Sequence, residues 1–271
     1  MDKETLRKVQ LTQLEIAQEI RRVCEENGID YYLTAGTCLG AVRHKGFIPW
    51  DDDLDIGMLR AEYEKFCRIA PEKLSPKYCF QNWHTDAGFA LPFGKVRKKG
   101  TIYQEAKAVE GGNNGIFVDI IVYDNAPADG KEKIHLFKLW FLNRMILMKC
   151  KYRPWNNNGV ISWTRRIFYF FFQILALFTT QRWLTHKFDQ IAKSVDGSSG
   201  KVYSQIGELN YYCFQKEWLA TTQVVPFENT TFRIPGTPHE YLTHAYGDYM
   251  KLPPEDQREN RHQIMVLDFG E

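Results

Sequence analysis

No two cysteines in this sequence stand close enough to form a Cys-x-x-Cys pair; the six lie at Cys24, Cys38, Cys67, Cys79, Cys150 and Cys213. That spacing argues against a cysteine zinc site and supplies no dense disulfide framework, so reduced thiols are expected. An apolar run of the roughly 20 residues that a bilayer-spanning helix needs is also missing. The most apolar stretch, "IFYFFFQILALFTT" from Ile167 to Thr180, falls short of it. The opening "MDKETLRKVQ" has no apolar core of the kind a secretory leader carries, and a cytoplasmic location is expected. Without a secretory route, the Asn-Thr-Thr at Asn229 reads as a turn rather than a glycosylation site. There is no internal repeat and no low-complexity tract.

What is present is an ordinary globular composition: 271 residues, 44% hydrophobic and 25% charged, enough for one large or two small domains. The net charge is only +2, but it is unevenly spread. Nine Lys or Arg and the single acid Glu132 lie between Lys131 and Arg166, about +8 there against about −6 elsewhere.

Apolar residues Leu6, Val9, Ile16, Ala17, Ile20 and Val23 recur at helical spacing, with a stop at "ENG" before "IDYYLT", a short strand. In "AGTCLGAVRHKG", Gly36 and Thr37 are expected to form a tight turn, with Thr37 capping a short helix. Pro49 blocks a helix from entering "DDDLD", after which "DLDIGM" alternates as a strand and "LRAEYEKFCRIA" reads as a helix. Further strands are expected at "FALPFGKVRK" and "GIFVDIIVYD", then an aromatic, helical middle. After "DGSSG" come a strand at "KVYSQIG", a hairpin at "QVVPFENTTFRIP" and a helix at "PHEYLTHAY". The expected architecture is α/β: a mixed core over 1–130, a helical insertion over 131–196, and a segment over 197–271 that returns to the core.

Four aspartates fall in five positions at Asp51, Asp52, Asp53 and Asp55. Strand alternation puts Asp53 and Asp55 on one face while Leu54 and Ile56 enter the core. Neighbouring carboxylates do not both ionise cheaply unless a cation joins them, and an all-oxygen set favours Mg²⁺ or Mn²⁺. A calcium EF-hand is a poor fit, because Ile56 stands where its sharp-turn glycine belongs. A solvated acidic turn accounts for Asp51 and Asp52. Asp119, set between Val118 and Ile120, is either a third site carboxylate or a structural aspartate bonded to backbone amides.

Together, "AGTCLGAVRHKGFIPWDDDLDIGM", "GIFVDIIVYD" and "YGDYMKLPP" resemble the LicD family of phosphocholine transferases, relatives of the fukutin-related ribitol-phosphate transferases within the nucleotidyltransferase superfamily. The resemblance spans about Tyr31 to Asp124 and Tyr241 to Pro254, and the middle helices carry no matching motif. It implies a nucleotidyltransferase-like core that moves a phospho-alcohol from a CDP-linked donor to a sugar hydroxyl and releases CMP. On that resemblance Asp53 and Asp55 bind metal, and Asp119 is a third metal ligand or the general base. Gly36 and Thr37 bring backbone amides to phosphate. Arg43 is a phosphate contact by its planar fork, although a cation there also complements a helix end. Lys95 and Arg97 share a strand face and either contact phosphate or are ordinary exposed charges. Asp248 is a cap or turn residue. For a quaternary ammonium, Trp50, Trp83 and Tyr249 offer aromatic faces, though core packing explains any single one as well.

The basic, aromatic middle suits either a helix lying in the headgroup region of an anionic membrane, at its inner face, or a buried hairpin with solvated cations. Family acceptors include lipid-linked glycans such as teichoic acid precursors. A nucleic-acid role is not expected, because the basic block is too apolar and the carboxylates need no polynucleotide. The alternatives are a nucleotidyltransferase acting on an NTP, a CDP-ribitol transferase, and a noncatalytic membrane-associated module that binds a nucleotide-linked alcohol.

Overall fold

The computed structural model describes residues 1–105, 114–128, 130–151, 160–204, 213–259 and 264–270. Helix α1 (Lys3–Glu26) begins where Asp2 accepts a hydrogen bond from Thr5 N at 2.8 Å, and its buried stripe includes Val9, Ile16, Ile20 and Val23. It leads to β1 (Tyr32–Leu33), α2 (Ala35–His44), β2 (Asp55–Leu59), α3 (Arg60–Lys73), β3 (Tyr78–Gln81), β4 (Gly94–Lys98), β5 (Ile102–Glu105) and β6 (Phe117–Asn125). Three helices follow, α4 (Glu132–Lys149), α5 (Val160–Leu177) and α6 (Gln181–Ala192). The chain then returns as β7 (Lys201–Ser204), β8 (Cys213–Gln215), α7 (Lys216–Ala220), the hairpin β9 (Thr222–Phe227) and β10 (Thr230–Pro235), α8 (Pro238–Tyr246) and β11 (Ile264–Asp268).

The mixed α/β expectation holds. The main sheet runs β1-β2-β6-β4-β3, and β6 is its longest strand. On one edge β6 pairs in parallel with β2; on the other, β4 takes Phe117 to Ile120 and β7 takes Tyr123 to Asn125, both antiparallel. A parallel pair must be covered on its faces, and Ile56, Met58, Val118, Ile120 and Val122 are accordingly inaccessible. Helices α1 and α3 cover that side: Glu15 of α1 pairs with Lys98 at 2.7 Å, and Phe66 of α3 meets Phe80 edge-on at 5.5 Å between centroids. The opposite face carries Asp55, Asp119 and Lys95, and α2 is tied to it where Asp55 N donates to the Thr37 hydroxyl.

Three local expectations change. The strand starts at Asp55, so Asp53 precedes it rather than sharing its pleat. Helix α2 already contains Gly36 and Thr37, and Thr34 is the residue at its N-cap position. Thr37 caps nothing; its hydroxyl accepts from Asp55 N at 2.8 Å, tying the helix to the strand. Strands β3, β5 and β11, unmarked by strong alternation, are held by pairing with β4 and with each other.

The middle helices form their own apolar cluster, in which Leu136, Leu139, Ile146, Phe172, Leu184 and Phe188 pack together and reach the sheet through Ala126 and Tyr203. None of the described helices is long and apolar enough to cross a membrane.

At Gly57 the sheet requires a glycine, since a Cβ there would lie 2.5 Å from the Tyr32 ring that crosses the strand. Filling that space forces a packed aromatic aside, so Gly57→Ala should lower the unfolding free energy by about 1–3 kcal/mol in urea titrations. An unchanged midpoint would mean that the ring yields freely.

Candidate active site

The register of the sheet lines up one polar row. Asp55 on β2 stands opposite Asp119 on β6, and Asp119 stands opposite Lys95 on β4. Cross-strand partners project to the same side, so the alternation that buries Leu54 and Ile56 delivers both carboxylates and the ammonium to one face. Lys95 is almost wholly buried, with Nζ 2.7 Å from Asp119 Oδ1, close enough for an ion pair although off the line of a hydrogen bond. The same ammonium lies 3.2 Å from the centroid of the Phe117 ring.

A cleft of about 460 Å³ opens above Asp51, Asp53 and Asp55. One wall is the start of α2, at Ala35 and Gly36, whose partial positive charge faces the acids. A Cβ on Gly36 would stand 3.1 Å from Asp51 Oδ2, a tight approach that glycine relieves. The other wall comes from the distant segment 246–257, with Tyr246, Asp248 and Tyr249. Arg43 joins the walls, donating to the Tyr249 carbonyl at 2.8 Å.

Burial pushes the Asp55 carboxyl well above the ordinary carboxylate range, and the charges of Asp53, Asp119 and Asp51 push it further, against a smaller opposing pull from Lys95. Asp119 is raised chiefly by burial as well, with Lys95 opposing. The acids are thus held together against their own repulsion, the condition under which a divalent cation gains most. The donor set fits such an ion at Asp53 and Asp55; among the described residues, no three His, Cys, Asp or Glu side chains come together as a ready ligand cluster.

The other residues singled out in the sequence separate into two groups. Gly36, Arg43, Trp50 and Asp248 line the cleft with the acids, and Arg258 stands over the Trp50 ring at 5.6 Å. Thr37 braces Asp55 from behind. Arg97 turns away, donating to Gln81 and, at 2.7 Å, to the Gly115 carbonyl. Trp83 lies elsewhere, against Phe188 of α6. The solvated-turn expectation fails for Asp52, which is 1% exposed and accepts from Tyr103 OH at 3.1 Å, while Asp51 faces the cleft. Sequence reasoning missed a buried ring of hydroxyls from Thr34, Tyr123 and Tyr241 behind the α2 turn. Only the placement of Tyr123 in a mainly apolar strand hinted at it.

A family model described as the nucleotidyltransferase domain of LicD/FKTN/FKRP matches residues 28–147. The lipopolysaccharide cholinephosphotransferase LicD of Haemophilus influenzae is 31% identical over 267 residues, spanning 97% of this chain and 97% of that protein. The ribitol 5-phosphate transferase FKRP of Homo sapiens matches over a shorter stretch, 46% identical over 44 residues, 16% of this chain and 9% of that protein.

The electrostatics generate a stability test. A carboxyl whose folded pKa is raised above its unfolded value costs nothing when neutral in both states, and its penalty grows as pH rises from the unfolded value of 3.8 through the folded one. In chelator, Asp55→Asn should therefore melt higher than the parent protein, with a gap that widens from acid toward neutral pH. Parallel melting curves at every pH would show that Asp55 carries no such penalty.

Proposed function

This chain belongs to the LicD family, and from that membership and the carboxylate-floored cleft we propose that it transfers phosphocholine from CDP-choline to a sugar hydroxyl of a cell-surface glycan precursor, releasing CMP. The observation that carries this reading is the convergence of Asp53 and Asp55 beneath the glycine turn of α2, with Asp119 beside them in register. A CDP-alcohol brings a diphosphate, whose charge the α2 amides at Gly36 and Thr37 and the Arg43 guanidinium suit.

In the proposed reaction the sugar oxygen attacks the phosphorus distal to cytidine. A new P–O bond forms as the bond to the bridging oxygen breaks, and CMP departs with that oxygen. Asp119, kept next to the cation of Lys95, takes the hydroxyl proton. Asp53 and Asp55 would hold Mg²⁺ or Mn²⁺, which when bound supplies neutralisation of charge on the diphosphate and leaving group. Lys95 serves the carboxylate rather than the phosphate in this reading. Tyr246 and Tyr249 are the cleft aromatics we assign to the trimethylammonium, since Arg258 already covers Trp50. The local similarity to FKRP supports CDP-ribitol as the second donor to examine.

The acceptor we propose is lipid-linked, of the lipopolysaccharide or teichoic acid precursor kind, met by peripheral contact at the inner face of the membrane. Helix α5 supports this. Phe172 and Ala176 pack inward, while Trp163, Ile167, Phe170, Phe171, Leu177 and, just beyond, Phe178 are more than half exposed. No acid lies between Val160 and Arg182, and Arg166 and Arg182 add exposed cations at the flanks. An apolar stripe with basic flanks suits an anionic lipid surface.

Purified protein supplied with Mg²⁺, a membrane glycan acceptor and CDP-choline, CDP-ribitol or CTP tests the chemistry. The expected result is acceptor-dependent CMP release from CDP-choline, reduced at least about 100-fold in a folded Asp55→Ala variant. Pyrophosphate release from CTP, or full activity in that variant, would overturn the reading. For the membrane, Phe170→Ser with Leu177→Ser should abolish co-sedimentation with phosphatidylglycerol vesicles without lowering the melting temperature. Unchanged sedimentation, or a parent protein that is a dimer disrupted by the same substitutions, would assign this face to another partner.

A further inference from the structure

Ala35, the first residue of α2, has φ of +47°, in the left-handed region that a residue with a Cβ occupies only under constraint. It also lines the cleft beside Gly36. The constraint is visible. Ala35 N donates to the hydroxyl of Tyr241 at 3.0 Å. That hydroxyl belongs to a closed ring, 2.8 Å from Thr34 Oγ1 and 3.2 Å from Tyr123 OH, with Thr34 and Tyr123 bonded to each other. All three side chains are buried, and each comes from a different part of the chain: the α2 cap, the C-terminal part of β6, and α8. The Tyr241 ring itself is stacked on Phe214 at 4.8 Å, so its hydroxyl is aimed by packing.

The same turn is fixed to the catalytic strand on its other side. Thr34 N donates to the Asp55 carbonyl at 3.1 Å, and Asp55 N donates to Thr37 Oγ1 at 2.8 Å. The four residues Thr34 to Thr37 are therefore clamped between Asp55 and Tyr241. Left-handed backbone at a non-glycine residue persists where its surroundings over-determine it, and such positions gather at functional sites.

We propose that Tyr241 is a positioning residue: its hydroxyl holds Ala35 in the left-handed conformation and thereby sets the donor-facing amides of the α2 turn over Asp53 and Asp55. Burial pushes this hydroxyl up to about 12, so it keeps its proton throughout the working range and acts as a fixed anchor rather than an acid or base. The contribution to turnover rests on the transferase reading above; the anchoring of the turn does not.

The test uses the full chain and three variants, Tyr241→Phe, Ala35→Gly and the double substitution. Tyr241→Phe keeps the ring and its stacking while removing the anchor. It should lower kcat for CDP-choline about 10- to 100-fold, as expected when reacting groups are misplaced by up to an ångström. Hydrogen exchange across residues 33–37 should speed up as well. Glycine adopts positive φ without an anchor, so Ala35→Gly in the Tyr241→Phe background should restore most of kcat while leaving the melting temperature at the Tyr241→Phe value. If kcat instead tracks melting temperature and glycine restores nothing, Tyr241 is a packing residue and the proposal fails. If the parent protein does not turn over CDP-choline, the transferase reading fails, and exchange alone decides: unchanged protection at residues 33–37 in Tyr241→Phe overturns the anchor, and its loss supports it.

Discussion

The carboxylate of Asp55 sits half-buried on the floor of the cleft beside others of its own sign, and much of the surrounding architecture answers that one unfavourable arrangement. Burial and like charge both favour the neutral form. The fold opposes them with an ammonium on the adjoining strand pair, Lys95 against Asp119, and with the positive end of α2 at the cleft wall. Main-chain bonds hold the arrangement in place, since both the N–H and the carbonyl of Asp55 are bonded to the α2 turn. Leu54 and Ile56, sealed into the core on either side, leave the strand no other register. Such a site stores repulsion that a bound cation can release.

The parts of this arrangement that were legible in the sequence are those encoded locally. A carboxylate flanked by Leu54 and Ile56 identifies the strand and its faces, as does Asp119 between Val118 and Ile120. The hairpin at residues 222–235 and the glycine stop after α8 are likewise written in neighbouring residues. What sequence missed is decided by partners far away in the chain. Asp52 reads as solvent-facing until Tyr103, 51 positions later, supplies a buried donor. Thr37 is a sensible cap by residue type, but the amide it serves belongs to Asp55, not to its own helix. Arg97 has the right spacing from Lys95, yet Gln81 and Gly115 draw its guanidinium inward.

Helix α5 shows a different limit. Periodicity identifies a buried stripe only when the other face is polar, and here both faces are apolar. Phe171 and Phe172 are neighbours of the same type, and only packing against α4 and α6 distinguishes the exposed ring from the buried one. The fold thus spends one face of α5 on its own helical layer and leaves the other unspent, which composition alone does not reveal.

The two walls of the cleft are also separated in time. The carboxylates leave the ribosome early, whereas Tyr241 and the segment 246–257 follow almost two hundred residues later. At typical translation speeds that interval is roughly 10–40 s. During it, a nascent chain carries the acidic cluster and the α2 turn without the tyrosine that anchors that turn or the wall that encloses the acids. Competence for chemistry is thus an event of late synthesis, and a ribosome that stalls within the helical layer displays the acids without a working cleft.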